Sequence, residues 1–178
     1  VCSSHPDIWR TLFRTARRYD RFALIESTSN QVNRQGGYSG MKPLDFVRSV
    51  RRTAKEEGFP LERLLLGGDH LGPNFGGRIA ASAAMDEACT MAAEYVKAGY
   101  KKIHLDASFP CAGDPESLTD EITARRSAQM AAACEAAASD GEKPLYIIGT
   151  EVPTPGGMVN SSPTESSGGS RNQGQAQG

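Results

Sequence analysis

Asp69 and His70 stand side by side, Asp106 closes the run KIHLD, and Glu26 and Glu151 each end a further apolar run. Such acids can carry a proton in a reaction. A histidine beside one can bind a divalent ion, with the acid as proton carrier or hydrogen-bond partner. Asp69, Asp106 and Glu151 are therefore candidate catalytic acids, and His70 is the candidate metal ligand. The stretch STSNQVN after Glu26 supplies amides and hydroxyls suited to sugar hydroxyls or phosphate oxygens. Glu26, Asn30, Gln31 and Asn33 are the candidate substrate contacts. Plainer roles compete: strand-end acids can cap the helices that follow. Asp69-His70 can also close a tight turn allowed by Gly67-Gly68.

Neighbouring strand residues face opposite ways, so Asp69 and His70 share a site only if the chain turns there. His104 shares a face with Asp106 but reads as a buried, satisfied polar side chain. His5, before Pro6, reads as a loop or cap residue. No HxH or HExxH spacing occurs, so a full ligand set of three is not visible.

The elements that must position these residues alternate. Strand-like runs at 1–4, 22–27, 63–67, 102–106 and 145–149 are separated by helical patterns at about 6–18, 43–58, 78–98 and 117–139. Ser117 and Asp120 have the spacing of a capping box for the last helix. Alternation of this kind predicts an α/β fold with a parallel sheet. The strands read as continuous apolar runs, as expected when both faces are covered. All the candidate residues fall at strand C-terminal ends, where a (β/α)8 TIM barrel builds its site. No GxGxxG or P-loop follows the first strand, which disfavours a nucleotide-binding open sheet. Residues 1–157 thus read as about the first five strands and four helices of a barrel. Residues 158–178, rich in Ser, Gly, Gln and Asn, read as a disordered tail. Five strands leave open edges, which predicts self-association or poor solubility for the chain by itself.

The 20 Lys and Arg nearly balance the 21 Asp and Glu among 178 residues, for a net charge of −1. That balance argues against nucleic acid or a membrane surface as partner. No run approaches the roughly 18 apolar residues of a spanning helix, and no secretory leader is visible. Four cysteines without CxxC or zinc-finger spacing read as reduced thiols of a cytoplasmic protein.

Four separated motifs carry a resemblance: ESTSNQVNRQGGYSGMKPLDF, LLLGGDHLGPN, KIHLDASFPCAGDP and YIIGTEVPTPGG. Together they resemble the GatZ/KbaZ family, the non-catalytic subunits of class II D-tagatose-1,6-bisphosphate aldolase. The resemblance covers about residues 1–157 and implies a TIM barrel longer than this chain. It implies a role in tagatose and galactitol catabolism, supporting a catalytic class II aldolase subunit that cleaves tagatose 1,6-bisphosphate into two triose phosphates. Asp69-His70 is similar to the Asp-His corner of the catalytic class II aldolases, where the histidine binds zinc and the aspartate moves protons. The remaining metal histidines of those enzymes come from later strands, and one histidine with carboxylates would hold Zn2+ weakly. Some relatives carry the label of a tagatose 6-phosphate kinase, but no phosphate-binding glycine loop is present. Three readings stay open: a supporting subunit, a metal-dependent sugar-phosphate aldolase or epimerase in its own right, or an inert truncated copy.

Overall fold

The computed structural model describes residues 1–74, 79–139 and 142–149. Glu151 and the expected tail at 158–178 lie outside the described residues.

Helix α1 (Pro6–Arg18) starts where the sequence placed it. Pro6 needs no helical N–H partner, and His5 Nδ1 accepts from Asp7 N at 3.2 Å. Asp7 in the first turn and Arg17-Arg18 in the last match the helix dipole. Helix α1 buries Trp9, Phe13 and Ala16. Helix α2 (Pro43–Glu56) buries Phe46, Val47, Val50 and Ala54. Helix α3 (Ala81–Ala98) begins three residues later than expected, and the expected start at Arg78 lies outside the described residues. Helix α4 (Asp120–Ala137) is capped by Thr119, whose hydroxyl accepts from Ile122 N at 3.4 Å, so the Ser117 cap is corrected.

Strands β1 (Ala23–Thr28), β2 (Leu64–Leu71), β3 (Lys102–Leu105) and β4 (Leu145–Ile148) are parallel and lie in the order β1-β2-β3-β4. The expected strand at 1–4 is reduced to a single parallel bridge, Cys2 to Glu26, beside β1. The described sheet therefore has four strands, not five.

One face of this sheet is covered by helices; among the described residues no helix lies on the other, here called the open face. Ala23, Ile25, Leu66, Ile103 and Leu105 form a single apolar cluster with Trp9, Phe13, Phe46, Val50, Met85, Tyr95, Met130 and Cys134. All four helices thus pack on the same side. Aromatic contacts knit this layer, with Trp9 edge-on to Phe46 at 5.3 Å and Tyr95 against Tyr100 at 4.5 Å. The buried tyrosine hydroxyls there are paired, Tyr100 with Ser27 at 3.0 Å and Tyr95 donating to Val32 O at 2.7 Å, while Ser127 Oγ on α4 has no partner among the described residues. The opposite face carries Glu26, Lys102 and His104. Strand β3 accordingly alternates between half-exposed and buried residues and is not apolar on both faces, as the sequence reading had it. On β4, Leu145 is 71% and Ile148 69% exposed. No described helix is long and apolar enough to cross a membrane.

Candidate functional site

Strand β2 runs on through Asp69 and His70 to Leu71, past the turn expected at Gly67-Gly68. The register explains how both residues still reach one site. Gly68 pairs with Ile103 and Leu71 with Leu105, so three steps on β2 match two on β3. The extra residue is a β-bulge, and His70 takes up the kink with a left-handed backbone, φ 49°. An ordinary strand would have sent Asp69 and His70 to opposite faces.

The bulge turns both side chains onto β3. His104 Nδ1 donates to Asp69 Oδ1 at 3.1 Å, and His70 Nδ1 donates to Asp106 Oδ2 at 3.0 Å. The two imidazole rings lie 4.1 Å apart. Asp106 is 1% exposed and is held from behind by Ser108, whose N and Oγ donate to Asp106 Oδ1 at 3.1 and 2.6 Å. Burial pushes the Asp106 carboxyl up, but the bonds from His70 and Ser108 outweigh it and leave the group below the usual carboxylate range. The same contest at Asp69 ends the same way. Burial raises it, and the bond from His104 with the charges of His70 and Lys102 lowers it further. Both acids are ionised at neutral pH, so each accepts from the Nδ1–H of its imidazole, and the Nε2 of each ring lies on the side away from that carboxylate.

Asp69, His70 and His104 each offer a ligand atom within 4.8 Å of the others. Two further features fit an ion there. His104 Nε2 is buried with no hydrogen-bond partner among the described residues. Beside it Gly149 leaves space, since a Cβ on that residue would sit 2.9 Å from Nε2. A carboxylate on Nδ1 that orients the ring and sharpens Nε2 as a donor is the usual support of a histidine ligand. Two histidines and one carboxylate also suit zinc and other first-row divalent ions.

The structure thus brings Asp69, His70 and Asp106 together and adds His104, which the sequence reading set aside as satisfied. Ser108 and Gly149 were also missed. The remaining candidates separate. Glu26 is ion-paired with Lys102. Asn33 shapes its own loop, with Oδ1 accepting from Gln35 N and Gly37 N and Nδ2 donating to Ser29 O. Gln31 Oε1 accepts from Thr28 N at 3.0 Å. Asn30 and Asn33 line a cavity of about 370 Å³ with Ser29, Arg34, Asn74 and Glu87, and no member of the histidine cluster lines it. Glu151 lies outside the described residues. The N-cap positions of the four described α-helices are held by His5, Lys42, Ala80 and Thr119, so none of Glu26, Asp69 or Asp106 caps one of them.

Residues 1–167 match the family model described as D-tagatose-1,6-bisphosphate aldolase subunit GatZ/KbaZ-like. The chain is 52% identical over 159 residues to a D-tagatose 6-phosphate 4-epimerase of Agrobacterium fabrum, covering 88% of this chain and 37% of that protein. It is 50% identical over 162 residues to the D-tagatose-1,6-bisphosphate aldolase subunit GatZ of Escherichia coli K12, covering 90% and 39%. A crystal structure titled a probable tagatose 6 phosphate kinase from Sinorhizobium meliloti superposes with a TM-score of 0.79 at 49% identity, over 84% of this chain and 38% of that one. The chain therefore spans well under half the length of each of these relatives.

Proposed function

This chain belongs to the GatZ/KbaZ-like family, and from that premise we propose that its strand ends form one corner of a metal-assisted site for a tagatose phosphate. The observation that carries the reading is the paired arrangement of His70 and His104. Each ring is oriented by a carboxylate, and one buried Nε2 has no partner among the described residues. Sequential parallel strands with the four described α-helices on one side support a (β/α)8 barrel for the whole protein, with the polar face inside. Acting on sugar phosphates carries with it a cytoplasmic location.

His70 and His104 would hold the ion, His104 through the Nε2 on the side of the ring away from Asp69. It would supply polarisation of a sugar carbonyl or hydroxyl, which suits either C–C bond cleavage or epimerisation next to a carbonyl. Asp106 locks the His70 ring through Nδ1, and Ser108 locks Asp106. Asp69, ionised and beside the cluster, is the group placed to take a proton from a substrate hydroxyl. Zinc content of the purified chain, and turnover of D-tagatose 6-phosphate by it and by a full-length relative, test the reading. We expect bound metal that is lost in His104→Ala and activity in the full-length relative that falls with it. Full activity of His104→Ala without metal would overturn it.

The names of the GatZ relatives favour a second reading, in which the chain supports a separate catalytic class II aldolase subunit without chemistry of its own. Binding only the folded partner would stabilise it by mass action. Tagatose 1,6-bisphosphate cleavage sustained by the mixture, and equally by a mixture made with His104→Ala, would favour this reading over the first.

A further inference from the structure

The open face holds a second charged group that the proposed chemistry leaves unused. The register sets Glu26, Gly67 and Lys102 in one row across three strands. Glu26 and Lys102 form an ion pair with side chains only 16% and 21% exposed. The pair closes over Gly67, where a Cβ would lie 2.8 Å from Glu26 Oε1 and 3.1 Å from Lys102 Cδ. Asp69 follows Gly67 by two residues and His104 follows Lys102 by two, so the pair lies one row below both. At about 3.3 Å of rise per residue, that row is about 7 Å from the histidine cluster. A glutamate side chain turned upward, together with a metal–oxygen bond of about 2 Å, spans such a gap.

Closed, four-ligand sites are structural, whereas sites that act on substrate keep a position open. We propose that Lys102 tethers Glu26 away from the Asp69–His70–His104 corner and so keeps a coordination position open for a substrate oxygen. This rests on the metal reading above. Lys102 touches neither ion nor substrate in this scheme; it is a positioning residue acting through Glu26. Without the ammonium, Glu26 is a mostly buried carboxylate lacking its counter-charge. A divalent ion one row away then offers the charge it has lost.

Calorimetric titration of the full chain with Co2+ tests this. Lys102→Met is expected to tighten binding about tenfold, the scale on which residues behind a metal ligand act. Lys102→Arg and the double variant Glu26→Gln/Lys102→Met are expected to return to the wild-type affinity. Should Lys102→Met fail to fold by circular dichroism, Gly67→Ala forces the same pair apart without removing a charge and is expected to shift Co2+ affinity in the same direction. Wild-type binding of Co2+ with unchanged or weaker affinity in Lys102→Met overturns the tether, as does unchanged affinity in a folded Gly67→Ala when Lys102→Met does not fold. Tight binding that persists in the double variant overturns it as well. Failure of the wild type itself to bind Co2+ is a different result: it removes the metal reading, and the tether with it.

Discussion

Ile103 and Leu105 turn toward the helices, while Lys102 and His104 turn away from them. The same strand thus serves two layers with opposite needs. On the covered face, side chains are mostly apolar, and the free energy of folding is gathered there. On the open face, charges and imidazoles converge with a bonding atom left over. A group satisfied internally has nothing to offer a ligand, so the unpartnered Nε2 of His104, set among charged neighbours, is what this face holds out to one.

That division can be broken first from the covered side. Phe13→Ala removes a fully buried ring that packs 5.0 Å from Phe59. It should cost about 3–5 kcal/mol of stability in a denaturant melt. If the chain survives folded, its metal affinity should be unchanged. His104→Ala is the counterpart on the open face. It should weaken metal binding by about 10–100-fold. It should cost about 1–2 kcal/mol of metal-free stability, since the Asp69 carboxylate loses its 3.1 Å donor even though an unpartnered buried nitrogen leaves with the ring. A loss of stability comparable to that of Phe13→Ala would mean the two faces are not separate. Ser27→Ala probes the polar element of the covered face. It leaves the Tyr100 hydroxyl without its 3.0 Å partner and should cost about 1–2 kcal/mol with no effect on metal.

The smallest expected effect is that of acid on the open face. Asp69 and Asp106 titrate lower in the folded chain than in the unfolded one. Their contribution is therefore fully present above the unfolded value of about 3.9 and is lost as pH falls through the lower folded values. Melting temperature should be flat from neutral pH down to about 5 and decline below about 4. The decline should be shallower in Asp69→Asn. An identical decline in that variant would locate the acid sensitivity elsewhere.

The covered face was the legible one. Ile8, Trp9, Leu12, Phe13 and Ala16 announce a helix by spacing alone, and the structure buries Trp9, Phe13 and Ala16 of that set. The alternation of strands and helices gave the parallel order because local periodicity and topology are tied. The open face was half legible. Asp69, His70 and Asp106 were found by type and position. Their convergence depends on one extra residue in β2, which no periodicity reveals, since a bulge is a register event between two strands. His104 could have been found. Lys102, His104 and Asp106 occupy every second position of KIHLD, so one face of that strand is wholly polar. A strand buried on both sides has no reason to be so. The pairing of Glu26 was hidden for a related reason: its partner Lys102 is 76 residues away, and only the register brings Gly67 between them.

His70 supplies its nitrogen from a left-handed backbone, φ 49°. Few residues enter that region readily, chiefly glycine, asparagine, aspartate and histidine. The position therefore has a narrow alphabet set by sterics before any ligand is considered. Replacing His70 with cysteine or glutamate would change the donor and strain the kink together. Aspartate is the exchange that keeps both a donor atom and the conformation. Anyone retuning this corner toward a harder, oxygen-preferring ion would thus begin with His70→Asp, and would find most other routes closed by the backbone.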